Sequence, residues 1–235
     1  FDIILESVTL MIAYLNHAYC YLLAASEARD ATTWGAHLLY LQDKGLHPKA
    51  TVADFGLGLR AGQKEAWSDV PCFGDVFHVL YDLYKVAGYL ENRAFGIMAT
   101  TYKLESKQER SKKKDKQLND RLAASRQEEK RALTLIEDIS VLMRWMQEDI
   151  LALVGPDLKT RKALYDWVVV ELSQREKESD HITPIRRKLE NHREEIFGFM
   201  VALEKNLQEL ASEFQVSFST VWEVYQLEGL SENNP

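Results

Sequence analysis

Asp2, Asp54 and Asp75 each fall in or at the end of a short apolar run, in F-D-I-I, A-T-V-A-D and P-C-F-G-D. Carboxylates gathered at strand ends can do chemistry that scattered ones cannot. In open α/β sheets, ligand and catalytic groups collect at the C-terminal ends of strands, where the following loops leave room. Two carboxylates on neighbouring strands, with nothing nearby to neutralise them, repel unless a divalent cation sits between them, and oxygen ligands suit Mg²⁺ or Mn²⁺. A pair of such ions can activate an attacking water or hydroxyl and stabilise the leaving oxygen. A lone aspartate at a strand end is ordinarily a turn residue; two in this order point toward a shared site.

Positioning these groups requires a sheet, and the first third of the chain reads as one. Residues 2–5 form the end of a strand, and residues 8–15 and 18–24 form two more, joined by the turn chemistry of Asn16-His17. Thr32 or Thr33 is placed to cap a helix that runs through Trp34, Leu38, Leu39 and Leu41 to Gly45. A short buried strand over 50–53 ends in Asp54, where Gly56 lets the backbone turn sharply into a helix over 59–67. A last strand over 71–75 follows. The order is β-β-β-α-β-α-β: an antiparallel hairpin, then βα units that lay later strands parallel to the first.

From about residue 77 the period becomes helical. Stretches 79–102, 104–153, 158–178 and 184–214 are apolar at helical spacing, with breaks at Gly155-Pro156 and around 179–183, and a short helix follows from Ser217 or Ser219 to Leu227. This half is expected to be one antiparallel bundle. The fold class is therefore α/β plus all-α, divided into 1–78 and 79–235.

Composition narrows the function. The chain has 235 residues, 46% hydrophobic and 28% charged, which excludes a disordered or fibrous class. No apolar run approaches the roughly 18 residues needed to cross a bilayer, so no membrane partner is expected. The chain starts at Phe1 and reads as processed or as a fragment. Cys20 and Cys72 read as buried thiols of a reducing compartment. The six histidines show no metal-ligand spacing, and Trp145, Trp167 and Trp222 read as core residues. The net charge of −7 hides an asymmetry: residues 103–131 hold 11 Lys/Arg against 6 Asp/Glu, net +5, leaving 18 against 30, net −12, elsewhere.

The stretch 28–83 carries Gly45, Asp54, Gly56 and the D-V-F-H of Asp75 to His78 in an order that resembles the middle of a DDE transposase of the mutator-like or a related insertion-sequence kind. The resemblance implies a partial ribonuclease-H-like mixed sheet core followed by a long antiparallel helical insertion. It also implies metal-dependent cleavage of DNA phosphodiesters by water, and strand transfer by a 3′ hydroxyl. Asp2 and Asp54 would be catalytic and hold Mg²⁺ (or Mn²⁺), Asp75 and His78 would shape the site or touch DNA, and the third acid would lie beyond Pro235. DNA and a second copy of the chain are the implied partners, in the cytoplasm at a bacterial nucleoid. The other reading, from a different class, is a non-catalytic helical scaffold derived from such an enzyme.

Between Lys103 and Asn119 the large apolar residues are Leu104 and Leu118, so the basic stripe reads as an exposed, poorly packed arm, with Lys112, Lys113, Lys114 and Lys116 as its DNA-binding residues. Lysines that neutralise phosphates release counterions, so binding should be independent of sequence and weaken steeply with salt. Replacing these four lysines with Gln is expected to flatten the log–log salt slope of DNA binding by roughly 3 to 4. An unchanged slope, or no binding by the parent chain at low salt, would make the stripe a solvated surface only.

Overall fold

The computed structural model describes residues 9–16, 19–111 and 115–232, and the chain divides into two compact units. One comprises residues up to Asp75 together with His192–Ala202; the other comprises Val76–Asn191 and the residues from Leu203 on.

The first unit begins with a hairpin, in which β1 (Thr9–Asn16) and β2 (Tyr19–Ser26) pair antiparallel from Thr9↔Ser26 to Asn16↔Tyr19, with register shifts around Tyr14. Period-2 alternation sets its faces: Leu22 is buried while Tyr21 and Leu23 are exposed. Leu22 joins Leu38 and Leu41 of α1 (Ala31–Asp43) with Ala66 and Trp67 at the end of α2 (Leu57–Ala66) in one apolar cluster. Asp30, and not a threonine, caps α1, accepting the Thr33 N–H at 2.8 Å. This bond holds the Asp30 carboxyl below its usual range. Gly45, at φ +92°, ends the helix, and the Leu46 N–H reaches back to the Leu41 carbonyl.

α1 and α2 approach closely because glycines face the contact. A Cβ on Gly62 would lie 2.6 Å from the Gly35 nitrogen and 2.7 Å from the Ala31 carbonyl, and one on Gly58 would lie 2.1 Å from the Arg29 carbonyl. On either side of α2, β3 (Thr51–Ala53) and β4 (Cys72–Gly74) pair in parallel, as Thr51↔Cys72, Val52↔Phe73 and Ala53↔Gly74. The buried Gln63 fixes the return to β4, donating to the carbonyls of Trp67 and Val70.

In the second unit, α3 (Val76–Arg110) and α4 (Lys116–Trp145) are joined by Thr101–Ser125 and Gln108–Asn119 hydrogen bonds, and Tyr84 of α3 bonds Gln147 just past the end of α4, a pairing that makes the two helices antiparallel. Asp115 caps α4 through the Leu118 N–H. After a π-helical turn at Met146–Ile150 come α5 (Leu158–Arg175), a 3₁₀ turn at Asp180–Ile182 and α6 (Thr183–Asn191). Then follow the short α7 (Arg193–Ile196), α8 (Gly198–Glu213) and α9 (Phe218–Glu232). The turn between α4 and α5 is organised by Arg161, which is fully buried and donates to the carbonyls of Ile150, Ala152, Leu153 and Pro156. Burial lowers the pKa of its guanidinium, while Tyr225 and Asp149 act in the opposite direction. Tyr225 adds a bond to the Leu153 carbonyl at 3.0 Å, and Gln226 accepts the Gly155 N–H at 2.8 Å.

The ribonuclease-H-like mixed sheet core followed by one long antiparallel insertion is not the architecture found. The described residues are mostly helical. Among the described residues the strands form two separate two-stranded sheets, of which the parallel one has only three residues per strand. The strand expected over 2–5 lies outside the described residues, and nothing described joins the hairpin to the parallel pair. The helical half is not one bundle either, because His192–Ala202 belongs to the first unit. The helix expected over 184–214 is interrupted at His192 and again before Gly198. The described part of the basic stripe is mostly exposed, as its composition implies, with Leu104 and Leu122 buried. Cys20 is exposed and Cys72 half-buried, and Trp167 is 43% exposed, its ring 4.9 Å from that of Trp145.

Replacing Arg161 with Met leaves several buried carbonyls without a donor, each worth about 1 to 3 kcal/mol. The expected loss of stability in urea unfolding exceeds about 3 kcal/mol, and a loss below about 1 kcal/mol would refute the role assigned to Arg161. Gly62→Val forces α1 and α2 apart, with an expected loss of about 2 kcal/mol; an unchanged midpoint would contradict the close approach.

Candidate functional site

Asp54 and Asp75 are each the first residue beyond the last pair of the parallel ladder, Ala53↔Gly74. The Asp75 N–H extends that ladder by one bond, to the Ala53 carbonyl at 2.9 Å. Adjacent strands lie about 4.8 Å apart, so the fold holds the two carboxylate-bearing residues side by side where the strands end. Asp54 is exposed and its Oδ1 accepts the Gly56 N–H at 2.9 Å, which orients the carboxylate and leaves Oδ2 outside that turn. A Cβ on Gly56 would lie 2.8 Å from that Oδ1, so a larger residue there would turn the Asp54 carboxylate aside.

A second group of residues, which sequence reasoning missed, supports this end of the strands. Arg60, one turn into α2, donates from Nε to the Asp54 carbonyl at 3.0 Å and pairs through Nη1 with Glu195 of α7 at 3.3 Å. Its guanidinium lies 5.2 Å from the centre of the Phe55 ring. Phe55 in turn packs against His192 at 4.5 Å, and His192 Nδ1 lies 2.7 Å from Glu195 Oε2. Close contacts knit α7 and the start of α8 to β4: a Cβ on Gly74 would lie 3.2 Å from the Glu195 carbonyl, and one on Gly198 would meet Phe73 at 2.7 Å. Arg60 Nη2 is buried with no hydrogen-bond partner. An acidic residue some 120 positions further along the sequence is thereby held on the same unit as Asp54 and Asp75. The signals that could have located it are Gly198 and the H-R-E-E run before it, which interrupt an otherwise continuous helical period.

The other expected site residues divide into two groups. Asp2 lies outside the described residues, as do Lys112, Lys113 and Lys114. His78 stands in the first turn of α3, its ring edge-on to Phe77 at 5.6 Å, and Lys116 is exposed at the start of α4. Among the described residues no group of three or more His, Cys, Asp or Glu side chains could hold a metal ion. A donor set of two carboxylates nevertheless fits Mg²⁺, which commonly takes one or two carboxylates and keeps waters or substrate phosphates as its other ligands. No helix of the described residues is long and apolar enough to cross a membrane. The chain matches no family model, no curated protein and no solved structure.

Arg60 ties the strand end to α7 through one charge-assisted bond to a carbonyl and one half-exposed ion pair. Arg60→Met is therefore expected to lower stability by about 2 kcal/mol, and Glu195→Gln, which removes the half-exposed charge paired with Arg60 and His192 while keeping an amide oxygen in place, by less than about 1 kcal/mol. Equal losses in urea unfolding would contradict this division.

Proposed function

We propose that the chain is a transposase, or part of one, of the DDE kind, acting on DNA phosphodiesters with Mg²⁺ or Mn²⁺. The observation that carries this reading is the placement of Asp54 and Asp75 one residue beyond a parallel register pair. Two carboxylates held side by side at strand ends are a donor set that would suit a hard divalent cation. Asp54, with Asp2, would hold the ion; Asp75 beside it and His78 one helical turn on would shape the site or touch DNA. A bound ion supplies Lewis-acid activation of a water or 3′ hydroxyl and stabilises the leaving oxygen. The residues of this chain do the rest. The Gly56 N–H fixes one oxygen of Asp54, Arg60 holds the strand end in place, and Glu195 keeps that guanidinium engaged. The exposed basic residues near the far end of the α3–α4 hairpin, among them Lys103, Lys107, Arg110 and Lys116, offer phosphate contacts.

Mn²⁺ binding followed by electron paramagnetic resonance, together with nicking of supercoiled DNA in Mn²⁺, tests this reading. The parent chain is expected to bind Mn²⁺, and Asp54→Asn and Asp75→Asn each to weaken that binding by about tenfold or more, as loss of a carboxylate ligand would. Nicking, where present, should disappear in Asp54→Asn. A chain that binds DNA but shows Mn²⁺ binding unaffected by either substitution would favour the non-catalytic scaffold instead.

A further inference from the structure

We infer that α3 is a self-association surface, through which two copies of the chain pair antiparallel. Its exposed stripe carries apolar residues in steps of four and three: Phe77, Tyr81, Tyr84, Phe95, Met98 and Tyr102, with Gly88 and Glu91 filling the two middle places; Tyr84 also donates to Gln147, and Met98 and Tyr102 border the groove beside α4. The six apolar residues are exposed, from 36% at Met98 to 71% at Tyr102. The opposite side of the helix, through Val79, Leu83, Leu90, Ala94 and Thr101, is buried within its own unit. A helix with one buried face needs no second apolar stripe, and a seven-residue period is the pattern by which two helices meet along a seam.

The stripe reads the same from both ends, and this selects a second copy as the occupant. Laid antiparallel about an axis between Gly88 and Glu91, Phe77 of one copy faces Tyr102 of the other, Tyr81 faces Met98, Tyr84 faces Phe95, and Gly88 faces Glu91. Aromatic and thioether side chains meet at both ends, where each has a large partner, while the middle, where the helices come closest, has a glycine opposite a single longer side chain. A Cβ on Gly88 would meet nothing within 4 Å. A glycine inside a helix costs about 1 kcal/mol relative to Ala, and the copy's own fold gives no steric reason for it.

Charge selects the same orientation. A parallel pair would stack Glu91 on Glu91 and set two stripes of net charge +5 side by side. The antiparallel pair puts the two basic stripes at opposite ends and sets Gly88, not Glu91, opposite each Glu91. The seam spans about 38 Å of helix. The exposed part of its six apolar side chains, of types that present 150 to 250 Å² each, amounts to about 600 Å² per copy. With the flanking Lys85, Asn92 and Ala99 this clears the roughly 1,000 Å² of total burial expected of a specific interface. In such a pair the basic end of each α3 lies at the N-terminal end of the other α3, the end that Asp75 immediately precedes. The inference stands independently of the DNA reading.

Sedimentation velocity of the full chain from 1 to 100 μM tests it. The parent is expected to be dimeric in this range. Phe95→Glu with Met98→Glu should weaken the dimer by at least 100-fold while leaving the far-ultraviolet circular dichroism unchanged, and Val170→Glu, at an exposed apolar residue of α5, should leave the dimer intact. A second pair of variants tests register: one carries Glu at both Tyr84 and Phe95, the other Lys at both. Each alone should be monomeric, and an equimolar mixture should form a one-to-one heterodimer. A parent monomeric at 100 μM, a dimer insensitive to Phe95→Glu with Met98→Glu, or a mixture that stays monomeric would overturn the inference.

Discussion

Parallel pairing of β3 and β4 is the constraint on which the first unit depends. Two parallel strands cannot be joined by a tight turn; the chain must cross over, here through α2, and that helix must find a surface to pack on. The surface is α1, and the close approach is set by glycines at 58 and 62, where a methyl group would meet backbone atoms. Burial of Leu22, Leu38, Leu41, Ala66 and Trp67 then fixes the hairpin on the same core. The ladder is only three pairs long, yet it places Asp54 beside Asp75 because both strands end at the same register.

So short a ladder cannot hold itself together, and the second support comes from far along the sequence. Arg60 reaches from α2 to the Asp54 carbonyl and to Glu195, while Phe55 and Phe73 pack against His192 and Gly198. The guanidinium is mostly buried and its ion pair half-exposed, so its principal contribution is geometric: it holds the strand end against α7. The second unit uses a buried arginine in a related way. Arg161 satisfies carbonyls freed where α4 loosens into a π turn, and the packing of α5 and α9 around that turn follows from it.

How much of this was legible in the sequence depended on how local the signal was. Gly45 as a helix stop, the strands before Asp54 and Asp75, and the helical period after residue 76 are read from neighbouring residues, and each is present. The cap of α1 went to Asp30 rather than to Thr32 or Thr33, a difference of two or three residues between side chains of similar capping strength. What failed was everything that needed long-range pairing. Alternating apolar runs indicate strands but not which strands share a sheet, so the single mixed sheet became two small ones. The hydroxyl contact between Thr101 and Ser125, which ties α3 to α4, joins residues 24 positions apart and leaves no local sequence signal. Glu195 was invisible as a site residue because only folding brings α7 back to β4.

The central claim is that the paired strand ends form a cation site, and locating the ion tests it most directly. Crystals of the full chain grown with Mn²⁺ and measured at the manganese absorption edge are expected to show an anomalous peak within about 2.3 Å of a carboxylate oxygen of Asp54, close to the oxygen distances hard divalent cations adopt, with Asp75 alongside. A peak elsewhere in the chain, or none at a Mn²⁺ concentration that saturates the protein in solution, would contradict it.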